Sequence, residues 1–299
     1  MRAPLFIGLR ALVALMVVLT AAAGVQADST VDMLFDHVND QANPANTGYE
    51  AVLEIALDNA VTAISVVATG PGGAIALDHD LGSHRWTAVA NYADSSAGLS
   101  SLAADLTGNF NITVTTTTGV STMAFTLGNL NLLQPSSFMA LPQITYPTNG
   151  QSGVAAQPTF TWNPTADLAG AYVISVTMNS GNVWDDDNNI PGAGGTMSIN
   201  DTSWQSEQVL PGGPALFGVL YGTSNAAYVG TFLTGFGTTD EGGVNWITSP
   251  FAPPGYPSDG TPLLALVSED RIGFDAVPEP ASMALLAMSG IALLRRRAA

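Results

Sequence analysis

The chain has 299 residues, contains neither cysteine nor lysine, and carries a formal net charge of −17. The missing cysteine excludes thiol nucleophiles, thiolate metal sites and iron–sulfur clusters. Residues 28–276 hold two arginines and 23 of the 24 acidic residues, a formal charge of −21. Because such a surface repels phosphate backbones, we expect no nucleic-acid partner.

The N-terminal residues predict a secretory signal peptide over residues 1–27. Arg2 and Arg10 supply positive charge, and an apolar run over residues 11–19 follows. The run is short for a spanning helix, which needs about 20 apolar residues. A small-x-small sequence closes at Ala27, where we expect cleavage and export of the remaining chain.

The region between the two ends predicts an all-β fold, because its short alternating runs are rich in Val, Thr, Gly, Asn and Pro. We predict two tandem antiparallel β-sandwich domains, over residues 28–137 and 138–276. The linker and the first strand of the second domain are expected within residues 135–147.

Period-two alternation predicts the buried rows of the first domain, with the opposite rows, which include Val52 and Glu54, facing water. Turns are expected at residues 70–73 and at Gly119, and residues 94–106 predict a short helix or a loop crossover. The predicted inward rows are Leu53, Ile55 and Leu57; Ile64, Val66 and Ala68; Phe110, Ile112 and Val114; and Met123, Phe125 and Leu127.

The second domain has a proline-rich entry, a strand that ends in tryptophan, and a Leu-Pro-Gly turn before an aromatic strand. Its predicted inward rows are Phe160 and Trp162; Tyr172, Ile174, Val176 and Met178; and Phe217, Val219 and Tyr221. Over residues 142–276 this layout resembles a fibronectin type III or immunoglobulin-like sandwich, with long loops near 179–203 and 222–261. The resemblance implies a fold and no function.

Two clusters are candidate metal sites. The run Asp185, Asp186, Asp187, Asn188 and Asn189 offers oxygen ligands for calcium, but it lacks the ligand order of an EF-type loop. A solvated acidic loop is the alternative.

The second cluster is Asp78, His79, Asp80 and His84, with His37 far away in sequence. Zinc takes three or four protein ligands, and an exposed polar turn is the alternative. We expect no metal and no other cofactor, and calcium stays open.

Aromatic residues beside the Gly/Asn-rich loops are candidate sugar-binding groups, and the alternative is that they cap the hydrophobic core. They are Trp184, Trp204, Tyr221, Tyr228, Trp246 and Tyr256. Catalysis has no comparable signal, since the sequence has no Gly-x-Ser-x-Gly elbow, phosphate loop or dinucleotide fingerprint. We therefore expect no enzyme, although the many acidic residues leave a glycan-processing pair open.

The C-terminal segment, residues 277–299, has three parts in a fixed order. Pro278, Glu279 and Pro280 form a stiff extended tripeptide, and an uncharged run over residues 281–294 follows. As a helix that run covers about 21 Å, against an apolar membrane thickness of about 30 Å. It therefore predicts a transmembrane helix that inserts only transiently.

Arg295, Arg296 and Arg297 close the segment and predict a cytoplasmic stop. This arrangement resembles the PEP-CTERM sorting signal of Gram-negative bacteria. The resemblance implies processing near Pro-Glu-Pro by an exosortase, and a mature protein at the cell surface or in the extracellular matrix. It also implies association with exopolysaccharide or biofilm. A plain membrane anchor is the alternative.

From these features we expect an exported, exosortase-sorted protein with a structural or matrix-association role. A carbohydrate-binding module for extracellular polysaccharide is the alternative, and a glycan-processing enzyme is a further one.

Overall fold

A computed structural model describes residues 28–80, 84–181, 183–189 and 195–277. It confirms the all-β fold class, since strands make up 51% of the structure. In the described ranges, α1 (Ser96–Leu106) is the one α-helix longer than the four-residue α2 (Tyr228–Thr231). The strands are β1 (Thr30–Asp40), β2 (Gly48–Ala56), β3 (Ala63–Gly70), β4 (Gly73–Ile75), β5 (Asp78–Asp80), β6 (Arg85–Ala93), β7 (Gly108–Thr116), β8 (Val120–Leu127), β9 (Gln143–Tyr146), β10 (Gln151–Val154), β11 (Thr159–Asn163), β12 (Val173–Ser180), β13 (Val183–Asn188), β14 (Ser203–Gln205), β15 (Gly213–Thr223), β16 (Leu233–Asp240) and β17 (Leu263–Ala276).

The main sheet has nine strands and contains both early and late parts of the chain. Its order is β13-β12-β15-β17-β1-β2-β6-β5, and β10 pairs with the end of β17. The pairs β1–β17 and β10–β17 are parallel, and the other pairs are antiparallel. The centre of this sheet is therefore a parallel pair joining the first and the last described strands.

The main sheet is strongly curled. Arg85 on β6 and Asp186 on β13 interact electrostatically, although five strands lie between β6 and β13. In a flat sheet six strand spacings would separate them by about 29 Å, well beyond the screening length of about 8–10 Å. Side chains on both faces of β1, β2 and β17 are also buried, as a curled sheet requires. We call the face that carries Arg85 and Asp186 the concave face.

The first hydrophobic core lies on the convex side of β1, β2 and β6. A five-stranded sheet of order β16-β8-β7-β3-β4 covers it, together with α1. The predicted hairpin is confirmed, since β7 and β8 pair antiparallel and their two predicted rows are buried. Helix α1 begins where Ser95 Oγ accepts a hydrogen bond from the Gly98 amide, and it buries Leu99 and Leu102.

The second hydrophobic core lies under a three-stranded sheet of order β14-β11-β9. Phe160 stacks on Phe217 with 3.9 Å between ring centroids. Trp162 Nε1 donates to Tyr221 Oη at 3.0 Å. The predicted inward rows of β11, β12 and β15 are confirmed, except that Tyr172 precedes its strand and is only partly buried.

Strand β17 belongs to both cores. Leu264 and Leu266 pack in the first core, whereas Ile272 and Phe274, on the same face of the same strand, pack in the second. The change of core along the chain falls between Phe138 and Met139, next to the predicted boundary. The tandem arrangement is not confirmed, because β16 and β17 complete sheets that begin in the first predicted domain.

Two further expectations are corrected. Val52 and Glu54 were expected to face water, but both are buried, because the curl of the main sheet encloses its second face. Ile64 was expected to be buried, but its side chain is 66% exposed. An irregularity in the β3–β7 register between Ala63 and Ser65 breaks the alternation there.

Candidate functional site

The concave face holds a buried ionic network centred on Arg271. Its Nη2 lies 2.6 Å from Glu269 Oε2 and 3.9 Å from Asp36 Oδ2, and its Nη1 lies 3.5 Å from Glu50 Oε1. The strands set this geometry, since Asp36 and Glu50 are direct partners across β1 and β2. Three carboxyl groups thus surround one guanidinium, and all four side chains are buried.

The network is electrostatically unbalanced. Burial and the charge of Glu269 raise the pKa of Asp36 well above its ordinary value, although Arg271 opposes this. Burial also raises the pKa of Glu50. Burial alone would lower the pKa of Arg271, but the charges of Glu269, Glu50 and Asp36 outweigh it and raise that pKa. Arg271 therefore stays charged, and the surplus carboxyl groups favour protonation.

A second buried group lies four residues back along β1. Asp32 and Glu54 are direct cross-strand partners, and both are buried. Arg85 Nε lies 3.8 Å from Glu54 Oε1, and Ser249 Oγ donates to Asp32 Oδ2 at 3.3 Å. Burial raises the pKa of Asp32 to about 7 and that of Glu54 to about 8, in both cases against the charge of Arg85.

Sequence reasoning missed this row of acids, although a signal was present. Asp32, Asp36 and Asp40 recur at every fourth residue of one strand, and Glu50 and Glu54 repeat the spacing on the next. On a strand this period puts them on one face. Alternation alone predicts that such a face is exposed to water. The burial of these acids results from the curl of the main sheet, which alternation does not show.

Carboxyl pairs of this kind can act as general acid and base, but a substrate must reach them. Here Asp32, Asp36, Glu50, Glu54 and Glu269 are each at most 4% exposed. An open groove of about 450 Å³ lies elsewhere, between α1 and residues 131–135, and its lining side chains are all uncharged. In the described part of the chain, that groove and the carboxyl pairs are thus separate features.

The predicted acidic run lies on β13, where Asp185 and Asp187 anchor loops. Asp185 Oδ2 accepts from Ser206 Oγ at 2.6 Å and from the Glu207 amide at 2.8 Å. Asp187 Oδ2 accepts from Thr196 Oγ1 at 2.7 Å. Both carboxylates therefore already accept hydrogen bonds from loop residues.

Because successive side chains on a strand point to opposite faces, Asp186 lies on the other face of β13 from Asp185 and Asp187. Burial raises its pKa. Asn188 is buried, and Asn189 Oδ1 accepts from the Ile174 amide at 2.8 Å. The five residues of the run thus point to different surroundings rather than to one shared centre.

The histidine cluster places Asp78, His79 and Asp80 on β5, with His84 just before β6. The His79 ring stacks on Trp86 with centroids 4.2 Å apart. His37 Nε2 lies 3.2 Å from Asp94 Oδ1. Within the described ranges, no group of three or more His, Asp or Glu side chains has the arrangement of a metal site.

Most of the candidate sugar-binding aromatics are core residues. Trp204 and Tyr221 lie in the second core, Trp246 lies in the first, and Tyr256 is 8% exposed. Tyr228 is partly buried against the first core, and Trp184 is partly exposed on β13. The core-capping alternative is thus confirmed for the four buried rings.

Ala27, Pro278, Glu279, Pro280 and the arginines at 295, 296 and 297 lie outside the described residues. So does the predicted sorting helix. In the part of the chain that is described, no helix has the length and apolar character needed to cross a membrane.

Comparison with known proteins identifies one segment of the chain. No curated protein matches the chain. Residues 276–298 match the family model described as the PEP-CTERM protein-sorting motif. This match supports export and exosortase processing of the chain. An all-β body with buried carboxyl networks thus precedes a C-terminal PEP-CTERM protein-sorting motif.

Proposed function

We propose that the chain is a non-catalytic structural protein of the cell surface or extracellular matrix, delivered there by an exosortase that processes its C-terminal segment. The observation that carries this proposal is the sorting motif at residues 276–298. The transient membrane helix, the stop at Arg295–Arg297 and release after processing belong to the same proposal.

A role without catalysis is supported by the position of the titratable groups. The carboxyl pairs with the most strongly raised pKa values lie inside the curled sheet, whereas catalytic acids and bases lie in clefts that substrates enter. Their partners are strand neighbours and the two arginines. We propose that they serve the fold, and that the protein needs no cofactor.

The experiment compares the native host with a strain that lacks its exosortase. We expect the wild type to export a shortened protein, and the deletion strain to retain the full-length form in the membrane. Substituting Pro278, Glu279 and Pro280 should reproduce that retention, whereas neutral residues at 295–297 should let unprocessed protein escape. Identical processing in both strains would contradict the proposal.

Carbohydrate binding is the second candidate, and the outer face of the five-stranded sheet favours it. Rows of uncharged side chains cross this face, and Thr122 Oγ1 lies 3.0 Å from Thr239 Oγ1. The rows are Val67, Thr113, Thr122 and Thr239; Thr69, Asn111, Ala124 and Gly237; and Asn109, Thr126 and Thr234. On a chain this acidic, a hydroxyl- and amide-rich face without charge suits a neutral polysaccharide.

A glycan array with the exported protein separates the two candidates. Competable binding that weakens in Thr113→Arg, but not in a variant with an exposed charge elsewhere such as Asp167→Arg, would favour carbohydrate binding. An array without binding would leave the structural role.

A further inference from the structure

The segment over residues 245–262, which we call the strap, covers one end of the concave face. Ser249 Oγ donates to Asp32 Oδ2 at 3.3 Å. Phe251 and Tyr256 pack against Val173 and Leu263. Farther along the strap, Tyr256 Oη accepts a hydrogen bond from the Leu264 amide of β17 at 2.9 Å.

Asp32, which Ser249 of the strap contacts, and its cross-strand partner Glu54 have too few donors for two ionised carboxylates. Asp32 Oδ1 and Glu54 Oε1 are buried without a hydrogen-bond partner. Leaving a buried acceptor unpaired costs about 1–3 kcal/mol, and more when the group is charged. One proton held by the pair supplies a donor and removes one charge.

The charged and titratable groups around the pair come from every neighbouring element. Arg85 on β6 attracts both carboxylates, and its charge is also drawn toward Asp186 on β13. From the strap, Tyr256 stays neutral, because burial raises its pKa to about 12. On β17, the direct partner of Asp32 is the apolar Leu263. The charge of the Arg85 guanidinium therefore acts on Asp32 and Glu54 and also on Asp186, and it opposes the burial that raises the pKa of all three carboxyls.

We infer that Asp32 and Glu54 form a proton-controlled catch, which keeps the strap closed over the concave face while the pair is protonated and loosens the strap when both carboxyls ionise. The driving force is electrostatic, and the strand pairing supplies the geometry that holds the two carboxyls side by side. Two negative charges on direct cross-strand neighbours repel each other, and each gains hydration only if water enters under the strap.

The sign of the pH dependence follows from linkage. The pKa values of Asp32 and Glu54 are raised by burial to about 7 and about 8, whereas with the strap open both approach their ordinary values. The closed state thus holds protons that the open state loses. Closure is fully favoured below the ordinary carboxyl pKa of about 4, weakens by about tenfold per pH unit for each proton released between there and about pH 7–8, and then levels off.

Amide hydrogen exchange on the exported protein tests this inference. Between about pH 5.5 and about pH 8, after correction for intrinsic exchange, protection of residues 245–262 should fall at least tenfold in the wild type. Glu54→Gln and Asp32→Asn should each remove about half of this extra dependence, because one of the two titrating carboxyls remains in each variant. The exposed matched controls Glu241→Gln and Asp167→Asn should keep it.

Strap protection that stays constant or rises over this range would overturn the inference, as would catch variants that keep the wild-type dependence. If Asp32→Asn does not fold, infrared titration of the wild type decides. Because Asp36 and Glu50 are also buried with raised pKa values, the signal is read as the difference between the wild type and Glu54→Gln. A protonated carboxyl that is lost in the variant and persists to about pH 7 in the wild type supports the catch, and the absence of such a difference above about pH 5 contradicts it.

Discussion

Arg271 and Glu269 lie two residues apart on β17, and their side chains meet on the concave face at 2.6 Å between Nη2 and Oε2. Asp36 and Glu50 approach the same guanidinium from β1 and β2. The cation at the centre of the main sheet is thus shared among three buried carboxyl groups.

Removing this cation should be among the most damaging single substitutions in the chain. Arg271→Met leaves three buried carboxyl groups without a charge partner, and we expect it to lower the free energy of unfolding by about 3–5 kcal/mol. Denaturant unfolding of the exported protein measures the loss. The double variant Arg271→Met/Glu269→Gln should recover part of it. A loss below about 1 kcal/mol would show that the network contributes little.

Asp270 lies on the other face of β17 and joins the two cores. Its carboxylate accepts from Asn39 Nδ2 at 2.7 Å and from the Ile144 amide at 2.8 Å. Asp270→Ala leaves these donors unpaired, and we expect a loss of about 2–4 kcal/mol in thermal or denaturant unfolding. Asp275→Ala, an exposed position on the same strand, is the control and should change stability by less than about 0.5 kcal/mol. Equal effects of the two substitutions would contradict the role of Asp270 in connecting the two cores.

The two predicted domains should not fold separately. A fragment of residues 28–137 lacks Leu264 and Leu266 of β17 and Trp246, all of which lie in the first core. It also exposes the edge of β1 that pairs with β17. We expect circular dichroism to show no cooperative melting for this fragment or for residues 138–277, whereas residues 28–277 melt cooperatively and independently of reductant. Cooperative melting of residues 28–137 alone would contradict the shared sheet.

The part of the fold that depends on local pattern could be predicted from the sequence. The hairpin of β7 and β8 follows from strict alternation around a turn, and Phe160 and Trp162 follow from two-residue spacing on β11. The pairing of β1 with β17 could not be predicted, since more than 200 residues separate the partners Asp32 and Leu263 and alternation carries no information on partners. The burial of Asp36 and Glu54 could not be predicted either, because an alternating strand pattern does not show whether a sheet curls.

The acidic strand β13 should respond to cations through general screening. Asp185 and Asp187 already accept hydrogen bonds from the protein, so calcium would have to compete with these donors there. Sodium chloride at matched ionic strength should reproduce most of any calcium effect on melting. Asp185→Ala should cost about 1–3 kcal/mol with or without calcium. A saturable stabilisation by calcium alone, lost in Asp185→Asn and Asp187→Asn, would instead show a calcium site.

The sorting of the chain is tested most directly by mass spectrometry of the exported protein from its native host. The motif at residues 276–298 predicts that the mature protein ends near Pro278–Pro280 and lacks Arg295, Arg296 and Arg297. An exported form whose intact C-terminus extends to Ala299 would contradict processing and leave the segment as a simple anchor.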